Sequence, residues 1–258
     1  MTRYRLTVEY DGSRFQGWQR QATGASVQGA LEAAVVRYAG EAPTVYGSGR
    51  TDTGVHALGQ VVHFDLARPR PPESVRMGLN FHLARAVGGT VVVLDCNEAA
   101  PDFHARFSTV ERRYLYRILT RPSPPAFGRD HVWWMPQALD VDAMAAAARP
   151  LVGLHDFSSY RAAGCQADTA LRTLTELAVR HAGAHVTVRA RAPSFLYRQV
   201  RIVVGTLVEV GLGRADIHAP ARALAARSRS AAGPTAPARG LYFEKAVCAG
   251  DRSPVPEK

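Results

Sequence analysis

The sequence predicts an α+β fold made of two ferredoxin-like (split βαβ) halves, their antiparallel sheets side by side with a basic cleft between them. Three observations carry that expectation. Periodicities of two and of about 3.6 residues follow one another in the order β-α-β-β-α-β, and the same order of elements returns in the second half of the chain. The 258 residues, 47% of them hydrophobic, suffice to bury a core for one large or two small domains. The halves are expected at 1–105 and 106–250, joined near residues 100 to 108, with a polar tail at 251–258.

The first half opens on a strand, because Tyr4, Leu6, Val8 and Tyr10 alternate with Arg3, Arg5, Thr7 and Glu9. Ser26 can cap a helix whose apolar stripe is Val27, Ala30, Leu31, Ala34, Val35 and Tyr38. Strands at Thr44 to Tyr46 and Gln60 to Asp65 flank a glycine-rich loop; a Pro-rich link at 69 to 72, a helix to about Leu83 and a strand at Thr90 to Asp95 follow. In the second half the spacing predicts a strand at Arg113 to Thr120, an alanine-rich helix at Val141 to Arg149, and strands at Leu171 to Arg180 and His185 to Ala192. A helix capped by Ser194, with Val200, Val203, Val204, Leu207 and Val208 on one face, leads through an Ala/Arg/Ser stretch at 221 to 239 into a last strand, Leu241 to Val247.

Charge points to a class of partner. Lys and Arg number 32 against 22 Asp and Glu, a formal net charge of +10 with a sequence pI near 10.1, which attracts polyanions and makes nucleic acid the leading partner class. The three cysteines, Cys96, Cys165 and Cys248, are far apart and form no C-x-x-C pair, so neither a disulfide framework nor a zinc site is suggested and a reducing cytosol fits. The N-terminus carries Arg3, Arg5, Glu9 and Asp11 where a signal peptide needs an apolar run, and no apolar run approaches membrane-spanning length.

The chemistry is expected in Gly47-Ser48-Gly49-Arg50-Thr51-Asp52-Thr53-Gly54-Val55-His56. Asp52 is the candidate catalytic residue: glycines at 47, 49 and 54 clear side chains around it and permit positive φ, and a loop between rigid strands is where reactive groups tend to sit. The phosphate-cradling P-loop and the dinucleotide fingerprint both fail on spacing. A plainer reading, in which the loop is a tight turn and Asp52 caps a helix or pairs with Arg50 at the surface, fits the local residues as well. Elsewhere, Arg112-Arg113-Tyr114-Leu115-Tyr116-Arg117 interleaves cations and aromatics along a strand, which could stack a base and hold phosphates, although tyrosines packed in the core with arginines in water is the reading the residues alone favour. Arg198 and Arg201 lie one turn apart where the last long helix begins, a position that disfavours cations and so suggests an external carboxylate or phosphate, for Arg201 the carboxylate of Asp52, with a simple exposed arginine as the plainer reading. His56 and His63 match no helical metal motif and are expected to stabilise loop or core; His104 and His155 are expected to pack.

Six separated motifs, in order, resemble the tRNA pseudouridine synthase A family across nearly the whole chain. They are Glu9-Tyr10-Asp11-Gly12 with Gly17-Trp18-Gln19-Arg20; Gly49-Arg50-Thr51-Asp52-Thr53-Gly54-Val55-His56 with Gln60-Val61-Val62-His63-Phe64; Asp102-Phe103-His104-Ala105-Arg106-Phe107-Ser108; Arg112-Arg113-Tyr114; His155-Asp156-Phe157-Ser158; and Val200-Arg201 with Val204-Gly205. The resemblance implies isomerisation of uridine to pseudouridine at positions 38, 39 and 40 of the tRNA anticodon stem-loop, without metal or organic cofactor, by a cytoplasmic homodimer in which each tRNA spans both subunits. It implies that Asp52 is the nucleophile, Arg201 its pairing arginine, Tyr114 a substrate-binding residue stacked on the uracil, and Arg50 the residue that enters the RNA beside the flipped base. Thr53 stands where alanine is usual, the residues after Leu83 lack the usual Leu-Pro turn, and the segment from Phe195 to Gln199 is variant, which leaves open what forms the wall around the uracil. The rival readings are a non-catalytic RNA-binding protein and a nucleotide hydrolase.

Overall fold

The computed structural model describes residues 1–251 of the chain. It is a mixed α+β structure in which nine strands form one sheet, two more pair beside it, and five α-helices pack on the strands or on one another. Strand β1 (Thr2–Tyr10) puts Tyr4, Leu6, Val8 and Tyr10 into the core, the period-two face the sequence marks. Helix α1 (Val27–Ala39) begins where expected, with the Ser26 side chain accepting the Gly29 N–H, and stops at Gly40 in the left-handed region. The expected strand near 44 to 46 is only the two residues of β2 (Tyr46–Gly47), whereas β3 (His56–Leu66) starts earlier than anticipated, immediately after the Asp52 loop. Helix α2 (Pro72–Val87) passes Leu83, because Ala84, Arg85 and Ala86 continue it without a proline until Gly88 ends it. Strand β4 (Val91–Ala99) completes the first set.

The second set runs β5 (Thr109–Thr120), β6 (Trp133–Met135), α3 (Val141–Ala148), β7 (Gly153–Asp156), β8 (Leu171–Leu174), β9 (Glu176–Ala182), β10 (His185–Ala192), α4 (Gln199–Gly211), α5 (Ala219–Ala226) and β11 (Leu241–Cys248). The strand expected over 171 to 180 is broken at Thr175, whose N–H and hydroxyl both donate to the Arg191 carbonyl; the chain before it forms a hairpin with β7, and the chain after it pairs with β10. Helix α5 lies within what reads as a connection, because an alanine run burying only Pro220 and Ala223 has no apolar stripe to announce it.

Along the sheet the order is β4-β1-β3-β11-β5-β10-β9, with β2 on β3 and β6 on β5. Most pairs are antiparallel, but β3 and β11 meet in parallel at two positions, Tyr242 with His56 and Phe243 with Ala57. Strands from early and late in the chain therefore form a single sheet with a parallel seam between β3 and β11, and the Asp52 loop enters β3 at that seam. The tail expected from residue 251 begins with an anchored Asp251, which takes Arg5 at 2.6 Å; 252–258 lie outside the described residues. Among the described residues no helix is long and apolar enough to cross a membrane, and Cys96, Cys165 and Cys248 are free.

Candidate active site

The loop between β2 and β3 is held from several directions. Tyr10 Oη and Thr51 Oγ1 are 2.8 Å apart, the Trp18 N–H donates to the Thr51 carbonyl at 3.1 Å, and the Val55 N–H donates to the Asp52 carbonyl at 3.1 Å. Buried Gln60 donates from Nε2 to the Gly49 carbonyl at 2.7 Å and accepts the Ser48 hydroxyl at 2.6 Å. From β5, Arg112 donates through Nε and Nη2 to the Ser48 carbonyl at 2.9 and 2.7 Å. Burial lowers the pKa of Arg112, though a guanidinium remains charged at neutral pH.

The glycines act differently from one another. Of the three in the loop only Gly54 takes positive φ, at 76°. Gly47 and Gly49 are needed for closeness: a Cβ on Gly47 would meet the Trp18 indole at 2.7 Å, and one on Gly49 would meet the Phe243 ring at 2.9 Å. Gly17, with φ 94°, presses against the loop from the other side, and a Cβ there would meet the Thr51 carbonyl oxygen at 2.6 Å. A tightly clamped loop presents one carboxylate, that of Asp52.

Asp52 is paired with Arg201, whose Nη1 donates to Oδ2 at 2.7 Å across 149 residues of sequence. Both side chains are mostly buried, at 17% and 12% exposure. The arginine is itself fixed, donating from Nε to the Ala236 carbonyl at 2.8 Å while the Ala236 N–H returns a bond to the Arg201 carbonyl. Tyr116 Oη anchors the neighbouring Pro237 carbonyl at 2.7 Å. The segment around Ala236 thus orients Arg201, although nothing in its composition signals that task.

Helix α4 does not begin as expected. Ser194 lies outside it, exposed, and the N-cap position belongs to Arg198, with φ 59° and ψ 12°. This left-handed residue prevents the helix from extending back to Ser194, and Gln199 Oε1 instead accepts the Leu196 N–H at 2.8 Å. The Arg198 guanidinium lies over the Tyr197 ring and its Nε is 3.8 Å from Asp52 Oδ2.

Tyr114 is buried on β5 and packed edge-on against Phe195, at 5.0 Å between ring centroids, and Phe243, at 5.2 Å. Phe195, in the variant segment, and Phe243 thus pack on Tyr114 beside the Asp52 loop. Burial raises the Tyr114 pKa, with Arg112 opposing and Asp52 adding to the rise, so the phenol keeps its proton. Arg50 is not joined to Asp52. It is exposed and donates from Nη1 to Gln166 Oε1 at 3.3 Å, so the surface pairing with Asp52 gives way to the Arg201 pair.

One cluster of potential metal ligands occurs among the described residues: Asp11, His56 and His131 bring ligand atoms within 4.8 Å of one another. Its hydrogen bonds account for it. His56 Nδ1 accepts the Gly12 N–H at 3.1 Å, and its Nε2 faces the carbonyls of Asp130 and Arg239 at 3.0 and 3.2 Å. The one lone pair a neutral imidazole could offer a metal is therefore engaged. Burial lowers the His56 pKa against the pull of Asp11. Burial would raise the Asp11 carboxyl, but the Ser13 hydroxyl and N–H, with two imidazoles nearby, hold it below its ordinary value. His56 is thus a buried structural residue, stacked between His131 and Tyr242. His63 and His104 pack edge-on at 4.6 Å, and the half-exposed His155 packs edge-on against Phe157.

The sequence matches the family model described as tRNA pseudouridine synthase over residues 6–108 and 147–247. The chain belongs to that family. It is 54% identical over 246 residues to a Rhodospirillum centenum protein named tRNA pseudouridine synthase A, covering 95% of this chain and 99% of the relative. A Rhodospirillum rubrum protein of the same name is 54% identical over 243 residues, 94% of this chain and 86% of its own length. One from Sinorhizobium fredii is 51% identical over 243 residues, 94% and 98% of the two chains. The match to the family model takes in the loop carrying Arg50 and Asp52 and the start of α4 with Arg201; its first segment ends at 108 and its second begins at 147, so Tyr114 on β5 lies between them.

Proposed function

We propose that this protein converts uridine to pseudouridine at positions 38, 39 and 40 of the tRNA anticodon stem-loop, with Asp52 as the nucleophile. Membership of the family supports tRNA as substrate and isomerisation as the reaction. One observation carries the assignment of Asp52: a carboxylate from the β2–β3 loop is met by an arginine from α4 at 2.7 Å, in a protein whose charge is otherwise strongly positive. A surface turn has no need of such a pair.

The chemistry balances within the substrate. The ionised Asp52 adds to the target nucleotide, at the sugar C1′ or at the base C6, and the N1–C1′ bond breaks with its electrons passing to the uracil. The uracil turns, C5 bonds to C1′, the carboxylate leaves, and the C5 proton is lost while N1 gains one. Uridine and pseudouridine are isomers, so no co-reactant enters the balance. Arg201 fixes the orientation of the carboxylate through a charge-assisted hydrogen bond. The base must leave the helix stack to reach Asp52, at a cost of a few kcal/mol. Stacking on Tyr114 and entry of Arg50 into the RNA offset that cost. As a neutral phenol, Tyr114 acts as a platform and hydrogen-bonding hydroxyl rather than a standing phenolate.

The same reading takes 1–105 and 106–250 as two ferredoxin-like halves. The orders β4-β1-β3-β2 and β11-β5-β10-β9 each fit the split βαβ arrangement, and the site groups lie where the halves meet, in what we take as the RNA-binding cleft. A cytoplasmic homodimer is inferred with it. The test is to incubate purified protein with unmodified tRNA and map pseudouridine by carbodiimide-blocked primer extension. Stops at 38 to 40 are expected where uridine occupies those positions. Absence of new stops, or stops confined to another arm, would refute the assignment.

A further inference from the structure

We propose that Arg198 binds a backbone phosphate of the RNA at the mouth of the Asp52 site, as a substrate-positioning residue. The inference rests on the proposed function and adds a contact to it.

Arg198 is one of two non-glycine residues with positive φ among the described residues; the other is Arg227. Such a backbone is strained for an L-residue, and glycine would avoid the strain. The two arginines differ in what their side chains hold. Arg227 reaches a carboxylate of its own, Asp156 at 3.4 Å. Arg198 reaches only Asp52 Oδ2, at 3.8 Å, beyond hydrogen-bonding distance, and that oxygen already takes the shorter bond from Arg201. Among the described residues the Arg198 guanidinium donates no hydrogen bond. It is 41% exposed, laid over the partly exposed ring of Tyr197, which holds it at the rim of the site.

Charge completes the argument. Arg198, Arg201 and Asp52 sum to one net positive charge, and a phosphodiester carries one negative charge. A guanidinium with unused donors is suited to phosphate, which it can take in a two-pronged fashion. When a nucleotide's sugar approaches Asp52, its phosphate lies one sugar away from the carboxylate, towards the rim where Arg198 waits. Nearby Arg201 is less available, because its Nε and Nη1 donate to Ala236 and Asp52 and its side chain is 12% exposed against 41% for Arg198.

The test compares Arg198→Gly and Arg198→Lys with wild type in the full chain, using unmodified tRNA. Glycine suits the backbone, so the glycine variant is expected to melt at the wild-type temperature or above. KM should rise about tenfold with kcat within a few-fold, and the slope of log binding constant against log salt should fall by about one phosphate contact. Lysine should keep the slope and recover part of the KM. An unchanged KM and salt slope in Arg198→Gly would overturn the proposal, as would a fall in kcat alone, which would place Arg198 on the carboxylate rather than on the RNA. If wild type makes no pseudouridine, the proposed function fails, and the salt slope still decides whether Arg198 meets phosphate. If wild type is active and the glycine variant matches it, only the role of Arg198 fails.

Discussion

The Asp52 loop turns on glycine and packs glycine faces against aromatic rings, whereas the wall opposite, at the start of α4, turns on an arginine and leaves that side chain half in solvent. On the loop side, Gln60, Arg112, Tyr10 and Trp18 hold the backbone on both sides of Asp52. On the α4 side, Arg201 is fixed by Ala236 while its neighbour Arg198 is held only by a ring and a distant charge. On the proposed roles, the difference is one of purpose. A nucleophile must be placed to within fractions of an ångström, whereas a cation meeting a flexible RNA strand needs reach.

The comparison breaks most severely if the charge pair that joins the walls is cut. Arg201→Ala removes a charge-assisted bond of about 1.5–3 kcal/mol, so kcat/KM is expected to fall roughly 10–100-fold, with Arg201→Lys recovering only part because a single ammonium cannot hold Asp52 and Ala236 in the same geometry. Steady-state turnover on tRNA checks it, and a full recovery by lysine would mean that charge alone matters. Gly17→Ala attacks the loop wall from behind. The new Cβ meets the Thr51 carbonyl at 2.6 Å in a left-handed backbone, a strain of about 1–3 kcal/mol, and thermal melting and turnover should both drop; an unaltered melting temperature with full activity would mean that the loop yields freely. Arg50→Ala touches neither wall's framework, so pseudouridine formation should fall well beyond tRNA affinity. Equal losses in filter binding and turnover would argue against a role in base flipping.

A further expected effect appears only in acid. Burial, with His104 and Arg3 nearby, lowers the His63 pKa to about 4 from 6.5, and His63 pairs with Tyr46 on the strand leading into the loop. Between those values the unfolded chain takes a proton that native His63 refuses, so stability falls as pH falls from 6.5 towards 4 and is unaffected above 6.5. Urea unfolding across that range should show the decline, and His63→Gln should make it shallower, with His56 and His104, whose pKa values burial also lowers, keeping the remainder. A variant with an unchanged slope would shift the cause to another group.

Much of this site was legible in residue types and order. Asp52 in its glycine loop, Arg201 on its helix and Tyr114 on its strand each have a local signal, and the motif order supplied their company. What could not be read was anything set by distant backbone. Ala236 fixes Arg201 through a carbonyl, which every residue possesses. Gly17 looks like an ordinary turn glycine until it is found against Thr51. Gln60 offered a weak signal, a polar side chain at an inward position of a strand, and it is fully buried. Ser194 misled because capping preference is local, while the start of α4 is set by a left-handed arginine whose conformation no sequence rule favours. At the level of fold, the alternations gave most strands, but the parallel seam between β3 and β11 depends on two residue pairs far apart in sequence.

The central claim, that Asp52 is the nucleophile, is tested most directly by tritium release from tRNA carrying 5-tritiated uridine, with wild type and Asp52→Asn assayed side by side for release and for tRNA binding. Wild type is expected to release tritium and Asp52→Asn to bind tRNA at least as well while releasing it at least about 10⁴-fold more slowly. Release by Asp52→Asn at a rate near that of wild type would contradict the account.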